Sequence, residues 1–285
     1  MPTAASGRDP CPRIPHPWNR GFTWPVTHGP FRRLAGAQAE AWDRDGFLVV
    51  EDAFGTDEVA ALARALDPAT RRVADLLEQI PGGRLSVAGT DTQIVAPNLV
   101  AGSEELRRFC RHPVLVDLCA DLVGPDVRLY WEQAVYKQPY SAEPVLWHQD
   151  NGYAYVEPQA YLTLWVALSD ATPDNGCISV VPGAHRDGTL WHRSTPIGEE
   201  CWGDWGAAVD VPVRAGSVVA FSSLTPHATR RNTTSEVRKA YIVQYVPDGA
   251  AVVEPAADGT PGRYRPLVDP VLNVPVLRDG APVPG

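Results

Sequence analysis

The sequence predicts a mainly β fold with flanking helices around a double-stranded β-helix (jelly-roll, cupin-like) core. Three observations predict it. Helix-type patterning is confined to the first 124 residues. After Pro125 the chain breaks into short runs rich in Val, Tyr, Trp and Ile, separated by Pro, Gly, Asn and Asp. No segment between those runs suits the crossover helices of a parallel sheet, so the strands are expected to pair antiparallel in two packed sheets.

Residues 1–33 hold seven prolines without periodicity and read as an extended N-terminal arm, with Trp18, Phe22 and Trp24 as points of attachment. One domain is expected over 34–249, with a helical buttress at 34–124 and the jelly-roll core at 125–249. In the buttress, 35–45 is helical and ends at Asp45-Gly46, and 47–50 is a strand. Thr56 is placed as the N-cap of a helix with Asp57 and Glu58 in its first turn and Val59, Leu62 and Leu66 on its apolar face. A further helix covers 68–80 and stops at Pro81-Gly82-Gly83. Helices at 103–110 and 113–123 follow, the second closing at Gly124-Pro125. Core strands are placed at 126–137, 160–168, 177–181, 208–213, 217–221 and 238–246. The C-terminal tail, 250–285, either wraps the barrel edge or stays free.

The chain has 285 residues, 44% hydrophobic and 21% charged, with a net charge of −9. A chain near this size buries roughly 75% of its unfolded surface, so one core needs no disulfide or metal staple. The acidity and the lack of a basic run argue against a nucleic-acid partner. Five cysteines without a C-x-x-C pair fit buried thiols in a reducing, cytoplasmic setting. No apolar run reaches about 18 residues, so no membrane-spanning helix is expected. The oligomeric state is not legible.

The most informative segment is Trp147-His148-Gln149-Asp150. Side chains at i and i+2 of an extended segment point the same way, so His148 and Asp150 can reach one metal ion while Gln149 faces aside. His227 lies 77 residues after Asp150 and follows the strand at 217–221 across a Thr225-Pro226 turn. Two imidazoles and one carboxylate on one face of an octahedral ion suit ferrous iron with positions left for a cosubstrate and O2. A second H-x-D, His185-Arg186-Asp187, lacks a later His at strand-to-strand distance with an Arg behind it unless His227 is shared, and His185 reads as structural or as a support to the site. Arg238, 11 residues after His227, starts a strand and can grip a carboxylate with two parallel hydrogen bonds. Thr229 can add a hydroxyl on the same side. Gln133 and Lys137 share a strand face; if it looks inward both are candidates for contact with keto acid or substrate, and if outward both are solvated. Trp165 is core packing or a wall for the cosubstrate.

These residues resemble the phytanoyl-CoA dioxygenase family of Fe(II)- and 2-oxoglutarate-dependent oxygenases. The resemblance rests on Trp147-His148-Gln149-Asp150, the run from Leu164 to Ala171, Asp174-Asn175-Gly176-Cys177, Val181-Pro182-Gly183-Ala184-His185, His227-Ala228-Thr229, Asn232-Thr233-Thr234 and Arg238-Lys239-Ala240. It implies a jelly-roll oxygenase. His148, Asp150 and His227 would ligate Fe(II), Arg238 and Thr229 would anchor 2-oxoglutarate, and O2 would be consumed with release of succinate and CO2. Asp150 stands where halogenating relatives carry a small residue, so halogenation is not expected. Ala184 departs from a frequent serine.

The expected reaction is hydroxylation of an unactivated C–H bond of a small natural-product or amino-acid-like molecule in secondary metabolism. Desaturation, cyclisation and epimerisation remain open on the same site. Two readings of other classes are a cupin-like metal enzyme without keto acid and a non-catalytic binding module. Substrate candidates are Lys137, Gln149, Tyr153, Trp191 and Trp202. The segment 187–207, with Trp191, Trp202 and Trp205, is either a lid over the barrel mouth or a loop packed onto the barrel.

Overall fold

The computed structural model describes residues 11–284, so the first third of the expected N-terminal arm lies outside the described residues. Its main body is a pair of facing antiparallel sheets. The larger sheet runs in the order Phe47–Val50, Val218–Ser222, Leu162–Ala167, Arg238–Pro247, Val127–Lys137, Gln93–Pro97, Ala88–Gly89 and Arg84–Leu85. The smaller has Val209–Val211, Ile178–Val180, His227–Thr229 and Val145–His148. This is the double-sheet core that the short strand runs predict.

Side-chain parity sorts the core. In Leu162–Ala167 the residues Leu162, Leu164 and Val166 join a cluster with the helices, while Trp165 and Ala167 join one facing the small sheet. Arg238–Pro247 follows the same rule: Tyr241, Val243 and Tyr245 pack outward on the helices, and Ala240 packs inward. Arg238, two residues before Ala240, must then also point inward. Both faces of the large sheet are thereby buried, which explains the near-continuous apolar runs in these strands.

The helical layer differs from expectation at one place. Thr56–Glu78 is a single helix, not two. Val59, Leu62, Leu66, Ala69 and Leu77 form one buried stripe that runs straight past Pro68. Pro68 removes one N–H bond to the Arg64 carbonyl, but both residues are exposed, so water can satisfy that oxygen. The apolar stripe outweighs the break. Thr56 is the first helical residue rather than the cap; Gly55 takes that place, and its N–H donates to the Glu58 carboxylate at 2.8 Å. Helices Gly36–Asp45, Glu104–Phe109 and Pro113–Leu122 fall where the sequence places them. Gly46 ends the first with φ 80°; a Cβ there would sit 2.4 Å from the His185 ring, so glycine is required twice over.

Besides Val145–His148, His227–Thr229 and the hairpin of Arg193–Thr195 with Gly198–Glu200, two regions carry strands that the sequence does not announce. The stretch after Gly83 folds back as Arg84–Leu85, Ala88–Gly89 and Gln93–Pro97 and extends the large sheet beside Val127–Lys137. Within the expected tail, Ala251–Pro255 pairs with Val156–Glu157 and Pro261–Pro266, and Pro275–Arg278 pairs with Val127–Lys137. No described helix is long and apolar enough to cross a membrane.

Candidate metal centre

Strand register builds the site. His148 ends one strand of the small sheet, His227 begins its neighbour, and the two are direct cross-strand partners. Their ring centroids lie 4.1 Å apart. Asp150 opens a short 3-10 turn just past His148, which swings its carboxylate to 3.7 Å from His227 Nε2. One donor atom from each of the three residues falls within 4.8 Å of the others, the only such His/Cys/Asp/Glu group among the described residues. The second H-x-D makes none: His185 is fully buried edge-on to Trp24.

The donor atoms are oriented before any ion arrives. His148 Nδ1 lies 2.7 Å from the Leu146 carbonyl, and His227 Nδ1 lies 3.0 Å from that of Thr225. An N–H at each Nδ1 leaves the Nε2 lone pairs for a metal. Thr163 donates its hydroxyl to Asp150 Oδ2, so Oδ1 is the oxygen left facing the imidazoles. Burial, with the neighbouring His227, pushes His148 well below the usual histidine range and favours the neutral ligand form. The set fits a small divalent ion bound by two imidazoles and a carboxylate.

The triad opens into a cavity of about 550 Å³, and Arg238 lies on its wall. Arg238 is 1% exposed, yet its Nε and Nη1 have no hydrogen-bond partner. The guanidinium lies 5.1 Å from the Trp165 ring centroid, which gives it a cation–π contact but no counter-charge. Directly opposite, across the strand pair, is Lys137, also 1% exposed, whose Nζ donates to Thr229 Oγ1 at 2.8 Å. Burial pulls Arg238 down to about 10, and burial with the field of Arg238 pulls Lys137 well below the ordinary lysine range. Two buried basic side chains with no anion between them would suit an incoming anion. Gly176 seals this pair from behind; with φ 82°, any Cβ there would meet the Arg230 carbonyl and the Lys137 stem.

A sequence profile described as phytanoyl-CoA dioxygenase matches residues 42–240. The chain belongs to the phytanoyl-CoA dioxygenase family. Among its dioxygenase relatives, an ectoine dioxygenase of Sphingopyxis alaskensis is 31% identical over 182 residues, 57% of this chain and 54% of the relative. A phytanoyl-CoA dioxygenase of Arabidopsis thaliana is 32% identical over 123 residues, 39% and 42% of the two chains. The chain thus matches about half the length of these two curated relatives. Two solved structures are similar over most of their length. One is the α-ketoglutarate-dependent carbocyclase SnoK from nogalamycin biosynthesis, with TM-score 0.65, 27% identity and coverage of 85% of this chain and 97% of that one. The other is the epimerase SnoN in complex with Fe3+, α-ketoglutarate and nogalamycin RO, with TM-score 0.61, 28% identity and coverage of 82% and 95%.

Of the other residues singled out in this family member, Gln133, Trp165, Thr229 and Tyr153 line the cavity. The strand face shared by Gln133 and Lys137 looks inward. Lys137 itself lies behind Thr229 rather than on the cavity wall, so its reach is to the anion site and not to the substrate space. Three further substrate candidates are corrected. Trp191 is 38% exposed and its backbone N–H donates to the Ile14 carbonyl at 2.7 Å. Trp202 packs with Trp147 and Trp205 against Val181 and Ala228 and carries the Arg13 guanidinium over its ring. Neither lines the cavity, so the loop 187–207 does not present its indoles to the mouth. Sequence reasoning missed the residues that do form the mouth: Val73, Leu76 and Leu77 from the long helix, and Leu85 to Ala88 from the hairpin.

Gln149 is the third correction. It is fully buried and bonded to protein on every side. Its Nε2 donates to the carbonyls of Leu224 (2.6 Å) and Gly188 (3.0 Å), Oε1 accepts from Leu190 N–H (2.6 Å), and its own N–H donates to His192 Nε2 (2.9 Å). Gln149 therefore ties the His148–Asp150 segment to the loop that delivers His227. Gln149→Leu leaves three buried backbone groups unpaired, at about 1–3 kcal/mol each. We expect a fall in Tm and about a 10–100-fold loss of metal affinity, measured by thermal denaturation and metal titration; a variant that binds metal like the parent would refute the tie.

Proposed function

We propose that this protein is an Fe(II)- and 2-oxoglutarate-dependent dioxygenase. It would couple oxidation of an unactivated C–H bond of a small molecule to conversion of 2-oxoglutarate and O2 into succinate and CO2. One oxygen atom goes to succinate and the other, in a hydroxylation, to the substrate. The observation that carries this reading is the pairing, in one cavity, of a His-Asp-His donor set with a buried, unpartnered guanidinium.

Bound iron supplies the O2-dependent redox chemistry at this site. The chain's own residues do the rest. His148, Asp150 and His227 would hold the metal, with their orientation fixed by Leu146, Thr163 and Thr225. Arg238 receives the distal carboxylate of the keto acid, with the Thr229 hydroxyl and the Lys137 ammonium beside it. Trp165 and Ile242 wall that end off from water, which strengthens the ion pair. Gln133 sits between the anion site and the substrate space. Ring closure or epimerisation instead of hydroxylation has specific support, since similar solved proteins are described as a carbocyclase and an epimerase.

The experiment is O2-dependent succinate release with Fe(II) and 2-oxoglutarate over a panel of small-molecule substrates, with product mass separating hydroxylation (gain of oxygen) from desaturation or cyclisation (loss of two hydrogens). Turnover that persists without the keto acid would support instead a metal enzyme that shares only the double-sheet scaffold.

A further inference from the structure

Resting on the oxygenase reading, we infer that the substrate is a small molecule longer than the cavity, whose enclosed part is neutral and largely apolar and whose non-reacting end lies across a rim made by Leu76, Leu85 and Tyr153. The first argument is charge. Among the described residues, formally charged side chains reach the cavity wall at only two places, Asp150 and Arg238. The oxygenase reading commits the first to metal and the second to keto acid. Lys137 is screened behind Thr229. Arg84, next to Leu85, is paired with Glu143 at 2.9 Å and lies near Asp91 at 3.6 Å. A carboxylate, phosphate or ammonium on the part of the substrate that enters the cavity would shed its water and meet no partner, which is prohibitive for a buried charge.

The wall itself is the second argument. Val73, Leu77, Val87, Val95 and Trp131 line the substrate side, and the polar groups among them are neutral: the amides of Gln133 and Gln244 and the Tyr130 hydroxyl. Such groups hydrogen-bond a carbonyl or hydroxyl on an apolar skeleton. The volume, about 550 Å³, has to hold the keto acid as well, so the substrate occupies only part of it.

The third argument is the rim. Leu76, Leu85 and Tyr153 line the cavity and yet are 52%, 60% and 47% exposed. Exposed large apolar side chains gathered at one opening mark a ligand surface, whereas singly scattered ones do not. A molecule confined to the interior would leave them wet; one that projects past the mouth covers them.

A matched pair of probes tests this. 2-(Hydroxymethyl)anthraquinone and anthraquinone-2-carboxylate have nearly the same shape and differ in charge. The protein, loaded with Mn(II) and 2-oxoglutarate without oxygen, is titrated with each while tryptophan fluorescence is followed. The neutral probe is expected to bind with a Kd about tenfold lower or better. Leu85→Lys, at an exposed position and checked by Tm, should weaken the neutral probe and shrink the preference to less than about threefold. Equal or tighter binding of the carboxylate by the parent protein overturns the inference. So does absence of binding by either probe at roughly 1 mM, or a preference untouched by Leu85→Lys. Loading is verified first, by thermal stabilisation. Failure to load overturns the oxygenase reading and this one with it, whereas a loaded protein that favours the carboxylate overturns the substrate class alone.

Discussion

Alanine at Asp150 or His227 is expected to take succinate release down to near the no-enzyme background and to weaken iron binding, with the fold intact. Two protein donors hold an octahedral ion less firmly than three, and the vacated position is taken by water that exchanges freely. The fold should survive because these side chains border a cavity rather than fill the core: His227 and Asp150 are 9% and 13% exposed at the side chain. Metal content after dialysis and far-UV circular dichroism check both halves. Asp187→Asn is the control. It belongs to the second H-x-D and is ion-paired at the surface with Arg13, so turnover and iron content should stay at the parent level. Iron retained in full by the Asp150 or His227 variants would falsify the assignment of the triad.

Arg238→Met should do two opposite things. Without ligand the variant is expected to be more stable than the parent by about 1–3 kcal/mol, because an apolar side chain of similar length replaces a buried guanidinium with two unpaired N–H groups. With 2-oxoglutarate the order reverses. A ligand at 100 times its Kd stabilises the parent by about 2.7 kcal/mol, and the variant should gain almost nothing. Truncating one partner of a buried charge pair costs about 2–5 kcal/mol, which predicts a loss of keto-acid affinity from about thirtyfold to a few thousandfold. Thermal shift with and without 2-oxoglutarate reads both effects, and iron binding should be unaffected. Equal 2-oxoglutarate stabilisation of parent and variant would show that the anion is held elsewhere. Both Arg238 and the cosubstrate carboxylate are charged across neutral pH, since burial lowers Arg238 only to about 10.

The metal ligands were legible because their spacing is a local geometric statement. An i, i+2 pair fixes two donors on one face, and the third needs only a neighbouring strand. Arg238 was legible through its offset from His227 at the start of a strand. Other features depend on contacts that no local pattern encodes. Arg84–Leu85 and Ala88–Gly89 are two residues each, too short to show an alternation, and exist because Gln93–Pro97 pairs with Val127–Lys137. Pro68 reads locally as a helix boundary, and only the buried stripe on either side of it reveals one continuous helix. Clustered indoles in 187–207 suggest a mouth, but Trp202 and Trp205 serve a separate apolar cluster on the far side of the small sheet. Gln149 shows the limit of reading by adjacency: its place between two ligands suggested contact with substrate, while its side chain is consumed by backbone groups.

Arg238 sits on the strand that holds the middle of the large sheet, hydrogen-bonded to Leu162–Ala167 on one side and Val127–Lys137 on the other. The mouth, by contrast, is built from one helix face and a hairpin of two-residue strands at the sheet margin. Variation is therefore cheap where the substrate is read and dear where oxygen chemistry is staged. A lineage, or an engineer, can exchange residues 84–92 to admit a new molecule and leave the oxidising machinery in register.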